Sequence, residues 1–302
     1  MLVIDTHTHV ISPDEDRYPT DPIGGHRSTW SQDHPVDLDG LLHALDDAGI
    51  DRAVVVQAST VYGHDNRYLA DSVAAHPDRL TGVYSLDATA PDAVDRINHW
   101  QSRGLNGFRL FTTGTTMPGQ ADWLGHPDSY PAWEHAEKHD IPICLQMTIH
   151  GIPALRTTLD HYPRTRVLLD HCARPDLTDG PPYHTSQALL DLAQYPGVHL
   201  KLTHRALDAA TQGASTIPDF LTTLHTTYGP SRIMWGSNYP AAQGPLTNLL
   251  TQARTHLTTL PETATTAILG GTANTFYFHT PATPATPTPA TPATATPGAH
   301  HA

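Results

Sequence analysis

The run LVIDTHTHV, residues 2–10, decides how the rest of the chain is read. It begins as a buried strand, with Leu2, Val3 and Ile4 in succession, and closes on polar side chains that are costly to bury without a purpose. Side chains alternate along a strand, so Asp5, His7 and His9 are expected on one face, with Thr6 and Thr8 on the other. Two imidazoles two residues apart on one face can grip a single ion. The plain alternative is a pair of surface histidines near the N-terminus. The apolar run ahead of them and Asp5 beside them favour a site.

Seven further runs of the same character follow: AVVVQAS (53–59), LTGVYSL (80–86), LNGFRLF (105–111), IPICLQM (141–147), RVLLDHC (166–172), VHLKLT (198–203) and RIMWGSN (232–238). Helix-length amphipathic segments lie between them, among them Leu38–Ala48, Ala93–Arg103, Ile152–Tyr162 and Ile217–Tyr228. Eight short apolar strands alternating with helices predict an α/β protein, a single-domain (β/α)8 TIM barrel, with an open doubly wound sheet as the alternative. The barrel is expected over residues 1–279. From residue 280 the chain reads TPATPATPTPATPATATPGAHHA, with too little apolar bulk to offset the entropy of ordering, and 280–302 is expected to be a disordered tail.

Thirty Asp and Glu against 17 Lys and Arg give a formal charge of -13, which speaks against a nucleic-acid or anionic-membrane surface. A small-molecule partner is the remaining class. Cys144 and Cys172 lie in apolar runs without CxxC spacing and are expected as reduced thiols. The first residues have no basic start, and no run approaches the roughly 18 apolar residues of a membrane span. A cytoplasmic enzyme is the expectation; oligomeric state is not legible. The 22 histidines exceed the Lys and Arg total, so most must be compositional and only those placed by a strand carry weight.

Several runs end in polar groups: His7 and His9, Gln57, Arg109, Gln146, His171, Lys201 and Asn238. All fall at C-terminal strand ends, where barrel enzymes assemble their sites. A metal site needs about three protein ligands. His171 is preferred as the third, on a face with Val167 and Leu169, which turns Asp170 outward toward the helices; His150, in the loop after the fifth run, is the rival. Arg109, Arg174, Lys201 and Arg205 cluster near strand ends of an acidic chain and suggest a carboxylate substrate. For Arg174 and Arg205 the competing reading is pairing with Asp176 and Asp208. Tyr62, Asp65 and Asn66 follow the second strand; Tyr62 can line the pocket, whereas Asp65 or Asn66 reads better as a helix N-cap.

IDTHTHV, DHCARP and RIMWGSNYP ahead of NTFYF, in this order, resemble the amidohydrolase superfamily, and more closely its branch of 2-pyrone-4,6-dicarboxylate lactonase and fuconolactonase-like enzymes. The likeness spans residues 2–278. It implies a (β/α)8 barrel, a hydrolase, and a site in which His7, His9 and His171 bind one divalent metal (zinc or manganese) or act without any. It also implies that Arg109, Arg174 and Arg205 hold substrate carboxylates. The branch's Gly-Ser-Asp-Trp-Pro motif, whose Asp activates water, matches Gly236 to Pro240 with Asn238 in the Asp position. Gln146 stands where two-metal members place a histidine, so a binuclear site is not expected. A second arginine after Arg109 is missing from FTTGTTMPG, which weighs against a dicarboxylate.

An amide cannot serve as a base, so its help has to come from His171 or from a metal-bound hydroxide. The leading expectation is hydrolysis of a small carboxylated lactone or related cyclic ester or amide. The alternatives are a metal-dependent decarboxylase and a catalytically inactive barrel used for binding.

Overall fold

The computed structural model describes residues 1–278; the segment expected as a tail, 280–302, lies outside them. Eight strands, β1 (Ile4–Thr8), β2 (Arg52–Val56), β3 (Leu80–Ser85), β4 (Phe108–Phe111), β5 (Ile143–Gln146), β6 (Val167–Leu169), β7 (Val198–Leu202) and β8 (Ile233–Trp235), form one parallel sheet in sequence order. The end of β8 meets β1: Thr6 Oγ1 donates to the Trp235 carbonyl at 2.7 Å, and the backbone N–H of His9 donates to Tyr239 O at 2.9 Å. The sheet thereby nearly closes into a (β/α)8 barrel.

One principal helix follows each strand: α1 (Leu38–Ala48), α2 (Arg67–Ala75), α3 (Ala93–Ser102), α4 (Tyr130–Lys138), α5 (Ile152–His161), α6 (Gln187–Asp191), α7 (Ile217–Tyr228) and α8 (Leu246–Leu257). Their limits have local causes. Asp37 accepts from Gly40 N at 2.8 Å to start α1, Leu41 and Leu45 put one face of it into the core, and Gly49 at φ 65° ends it. Among the described residues no helix is long and apolar enough to cross a membrane.

Strand alternation sorts the side chains into two layers. Val55, Leu145, Leu169 and Leu200 face the helices, while Ile4, Val54, Val56, Val83, Cys144, Leu168 and Met234 fill the barrel, packed against Ala273, Phe276 and Tyr277. Both cysteines are buried and free. The interior positions one step further along the strands are polar, and they form the floor of the site.

Candidate active site

β1 does not present its histidines by simple alternation. Ile4 belongs to the barrel interior, so strict parity would send Thr6 and Thr8 inward; a register shift against β2 between Asp5 and Thr8 re-aims the chain and brings His7 and His9 in instead. Asp5 is not beside the imidazoles. Its Oδ1 accepts from His7 N and Ser237 N, each at 2.9 Å, and so staples the first strand to the loop after the eighth. Gly236 makes this approach possible, because a Cβ there would lie 2.8 Å from His7 Cβ. Gly236→Ala is therefore expected to cost about 1–3 kcal/mol by overpacking and to displace His7, read as a lower urea midpoint with weaker turnover.

His171 also reaches the site by departing from the strand. β6 ends at Leu169, and His171, Cys172, Ala173 and Arg174 follow with φ of 55°, 51°, 56° and 51°. Four consecutive non-glycine residues in the left-handed region cost about 1–2 kcal/mol each, so the packing of buried Cys172 and Ala173 must hold them there. The turn corrects the expected facing of this segment. Asp170 does not point outward: it is fully buried inside the barrel, and His171 reaches the pocket through the turn and not through a face shared with Leu169.

The three rings meet. The His7 centroid lies 4.9 Å from that of His9 and 5.0 Å from that of His171. His9 Nδ1 donates to the Val56 carbonyl at 2.7 Å, which leaves its Nε2 as a bare acceptor, while His171 Nδ1 is 2.8 Å from Thr203 Oγ1. Burial keeps all three neutral. With Arg109 adding to burial, the His9 pKa is pushed down to about 3, and those of His7 and His171 fall well below the usual value. His150 is exposed and takes no part.

Asp170 organises the floor, a role that reading its strand gave no hint of. Lys201 Nζ lies 2.8 Å from its Oδ1, Arg109 Nη2 and Nε lie 3.0 and 3.1 Å from its Oδ2, and His7 Nδ1 is 3.5 Å away. Burial pushes the carboxyl pKa up, but Lys201 and Arg109 outweigh it and hold the group ionised, well below the ordinary range. Arg109 also donates to Gln57 O at 3.3 Å and to Gln146 Oε1 at 3.1 Å. Arg109 lines the pocket, yet its guanidinium is largely committed to the protein, and Lys201, fully buried, does not line it. Lys201 is therefore not placed to hold a substrate carboxylate as expected, and Arg109 reaches the pocket with one Nη1 proton left uncommitted. Tyr62 is displaced too: its hydroxyl accepts from Ser12 N at 2.7 Å, within an apolar cluster beside the pocket.

The free cations are Arg174 and Arg205. Both line the pocket, and among the described residues neither has an ion pair; Asp176 instead accepts from Thr178. Burial, with Arg205 and Arg109 nearby, lowers the Arg174 pKa, and its buried Nε lacks a partner. Asn238, at φ 64°, donates its backbone N–H to His7 O at 2.8 Å and leaves its buried side-chain Nδ2 unpartnered. Trp30, stacked 5.3 Å from His9, forms an apolar wall with Ala58, Phe111 and Ala241 around roughly 440 Å³ of empty space, mouth included. Trp30 and Ser59 escaped the reading of the sequence. For Trp30 the signal was the long connection between β1 and α1, since long barrel loops tend to carry function; Ser59, just past β2, had none.

His7, whose two buried ring nitrogens lack a hydrogen-bond partner, with His9 and His171, each engaged through Nδ1 only, are the side chains that would hold a divalent ion. The nearby carboxylate of Asp170 is held by two cations and Asn238 brings no charge, so the donor set among the described residues is three neutral imidazoles.

The amidohydrolase family profile matches residues 4–278. An L-fucono-1,5-lactonase of Burkholderia ambifaria is 29% identical over 212 residues, covering 69% of this chain and 70% of the relative. A 4-sulfomuconolactone hydrolase of Hydrogenophaga intermedia is 26% identical over 260 residues, covering 82% and 80%. A Pseudomonas putida structure assigned as a 2-pyrone-4,6-dicarboxylic acid hydrolase superposes with a TM-score of 0.72 at 25% identity, covering 91% and 97%. Two more distant structures show the fold alone. A zinc-bound amidohydrolase of Burkholderia multivorans has a TM-score of 0.73 at 21% identity, covering 92% and 99%, and a manganese-bound dihydroxybenzoic acid decarboxylase of Polaromonas has 0.63 at 15%, covering 91% and 96%. With the barrel, its polar floor and this match over almost the whole chain, the protein belongs to the amidohydrolase family and is a hydrolase-type enzyme.

Proposed function

We propose that the protein opens a small lactone that carries an anionic group. The observation that carries this reading is the pocket itself: a bare imidazole acceptor on His9 and an unpartnered amide donor on Asn238 share it with two unpaired guanidiniums, Arg174 and Arg205. The relatives named as lactonases, one of them acting on a sulfonated lactone, support the substrate class.

In this mechanism Arg174 and Arg205 bind the anionic group, and the Asn238 amide donates to the carbonyl oxygen, where negative charge develops. His9 Nε2 takes the proton of the attacking water and returns it to the departing ring oxygen. His9 suits this better than His171, because the Val56 carbonyl fixes its tautomer. The ion-paired Asp170 keeps Arg109 and Lys201 from repelling a protonated imidazole at full strength. These steps use only side chains, and chelation tests that: it is expected to leave turnover unchanged. Activity lost to a chelator and restored by zinc or manganese would overturn the metal-free reading.

The test is turnover on a panel of L-fucono-1,5-lactone, 4-sulfomuconolactone and 2-pyrone-4,6-dicarboxylate, followed by ring opening and by release of carbon dioxide. Ring opening is expected on an anionic lactone, with loss of about 100-fold or more in His9→Ala and abolition in His7→Ala/His171→Ala. Full activity in the double variant, or carbon dioxide as the product, would remove the proposal. A decarboxylase remains the second reading, because losing the carboxylate base at position 238 matters less to a reaction without water attack.

A further inference from the structure

Three hydroxyl and imidazole groups outside the histidine cluster connect the pocket to a second cavity. Ser59 lines the pocket and donates its Oγ proton to Ser85 Oγ at 3.3 Å; Ser85 Oγ in turn lies 3.0 Å from His64 Nδ1. Both serines are 1% exposed, whereas His64 is half-buried and lines the second cavity with Asp87, Thr89 and Trp123. The chain is held in place. Asn66, expected as a helix cap, makes no such bond and clamps the end of β3, accepting from Ser85 N at 2.7 Å and donating to Ser85 O at 3.0 Å. Gly63, at φ 54°, lets the His64 loop close on Asp21, whose carbonyl would lie 2.4 Å from a Cβ there.

Resting on the hydrolysis proposed above, we propose that Ser59, Ser85 and His64 form a proton relay that drains the active-site pocket. Water addition breaks the ring C–O bond and forms a new C–O bond at the carbonyl. One water proton goes to the ring oxygen, and the second leaves when the product acid, with a pKa near 4, ionises. Each turnover therefore releases one proton inside the pocket, and Asn238 cannot hold it. Ser59 takes that proton as it passes its own to Ser85, Ser85 passes one to His64 Nδ1, and His64 releases one from Nε2 into the second cavity. Rotation of the hydroxyls and the ring restores the starting state. Of the groups facing His64, burial lowers its pKa, Asp87 raises it, Arg96 lowers it, and the Ser85 backbone and Asp21 raise it. The net direction is downward, which favours the neutral ring from which the relay starts.

The test uses the intact protein and the lactone it opens fastest. In weak buffer, His64→Ala and Ser85→Ala should lose about tenfold or more in kcat with KM unchanged, and free imidazole, admitted by the second cavity, should restore His64→Ala. Ser85→Thr, which keeps the hydroxyl, should behave as wild type. Variants equal to wild type in weak buffer, or equally impaired in every buffer without rescue, would overturn the relay. A second measurement needs no substrate. Long-range proton–nitrogen NMR of the histidine rings should show His64 as the Nε2–H tautomer with Nδ1 accepting, altered in Ser85→Ala. A wild-type ring protonated on Nδ1 would overturn the relay even if every lactone turned over, whereas failure of the whole panel with the expected tautomer would strike the hydrolysis proposal alone.

Discussion

Lys201→Met is expected to lower stability by about 3–5 kcal/mol, because it leaves the buried Asp170 carboxylate with one cation where it now has two. The methionine replaces the stem of the lysine well enough that little of this arises from a cavity. The loss should be partly recovered in Lys201→Met/Asp170→Asn, which removes the uncompensated charge, and a double-mutant cycle on urea midpoints would read the coupling. Independent, additive losses would show that the pair does not interact as its 2.8 Å separation implies. The sign with pH follows from the lowered carboxyl pKa. Stability from this group is fully present above the ordinary carboxyl range and lost as pH falls through the folded value, so wild type and the single variant should converge in acid.

The same residues show where the sequence is readable and where it is not. The eight strands and the cores of the helices follow from apolar runs and local stop signals; α1 and α7 span the segments Leu38–Ala48 and Ile217–Tyr228 as expected. Facing is readable only while the backbone stays extended. In DHCARP the left-handed turn carries no glycine to announce it, so strand alternation, which would turn Asp170 outward, ends at Leu169 without a local signal. In β1 a register shift has the reverse outcome: the histidines still converge, but Asp5 is diverted to the backbone of the neighbouring loop. Whether a buried cation serves the substrate or the protein is a property of three strands at once. Asp170 on the segment after β6 claims Lys201 from β7 and Arg109 from β4, and no spacing within one strand encodes that meeting.

Asn238→Asp decides what the departure in GSNYP means, and its direction follows from comparing two magnitudes. A carboxylate would add a general base, commonly worth about 100- to 10,000-fold, but His9 already presents a fixed acceptor, so most of that gain is redundant. It would also remove the Nδ2 donor and set a negative charge where the carbonyl oxygen becomes negative, a loss of about 100- to 1,000-fold for one such donor. The loss should win: kcat on an anionic lactone is expected to fall about 100-fold or more, with a weaker fall in Asn238→Ala, which removes the donor without adding charge. The pH profile gives the sign of the cause. A protonated carboxyl donates again, so the Asn238→Asp variant should regain activity relative to wild type as pH falls through the new group's pKa, which Arg174 and Arg205 on the same pocket would hold low. If the substitution instead raises activity, and does so more as pH rises, the carboxylate is acting as a base. Asn238 would then be a lesion in a hydrolytic site.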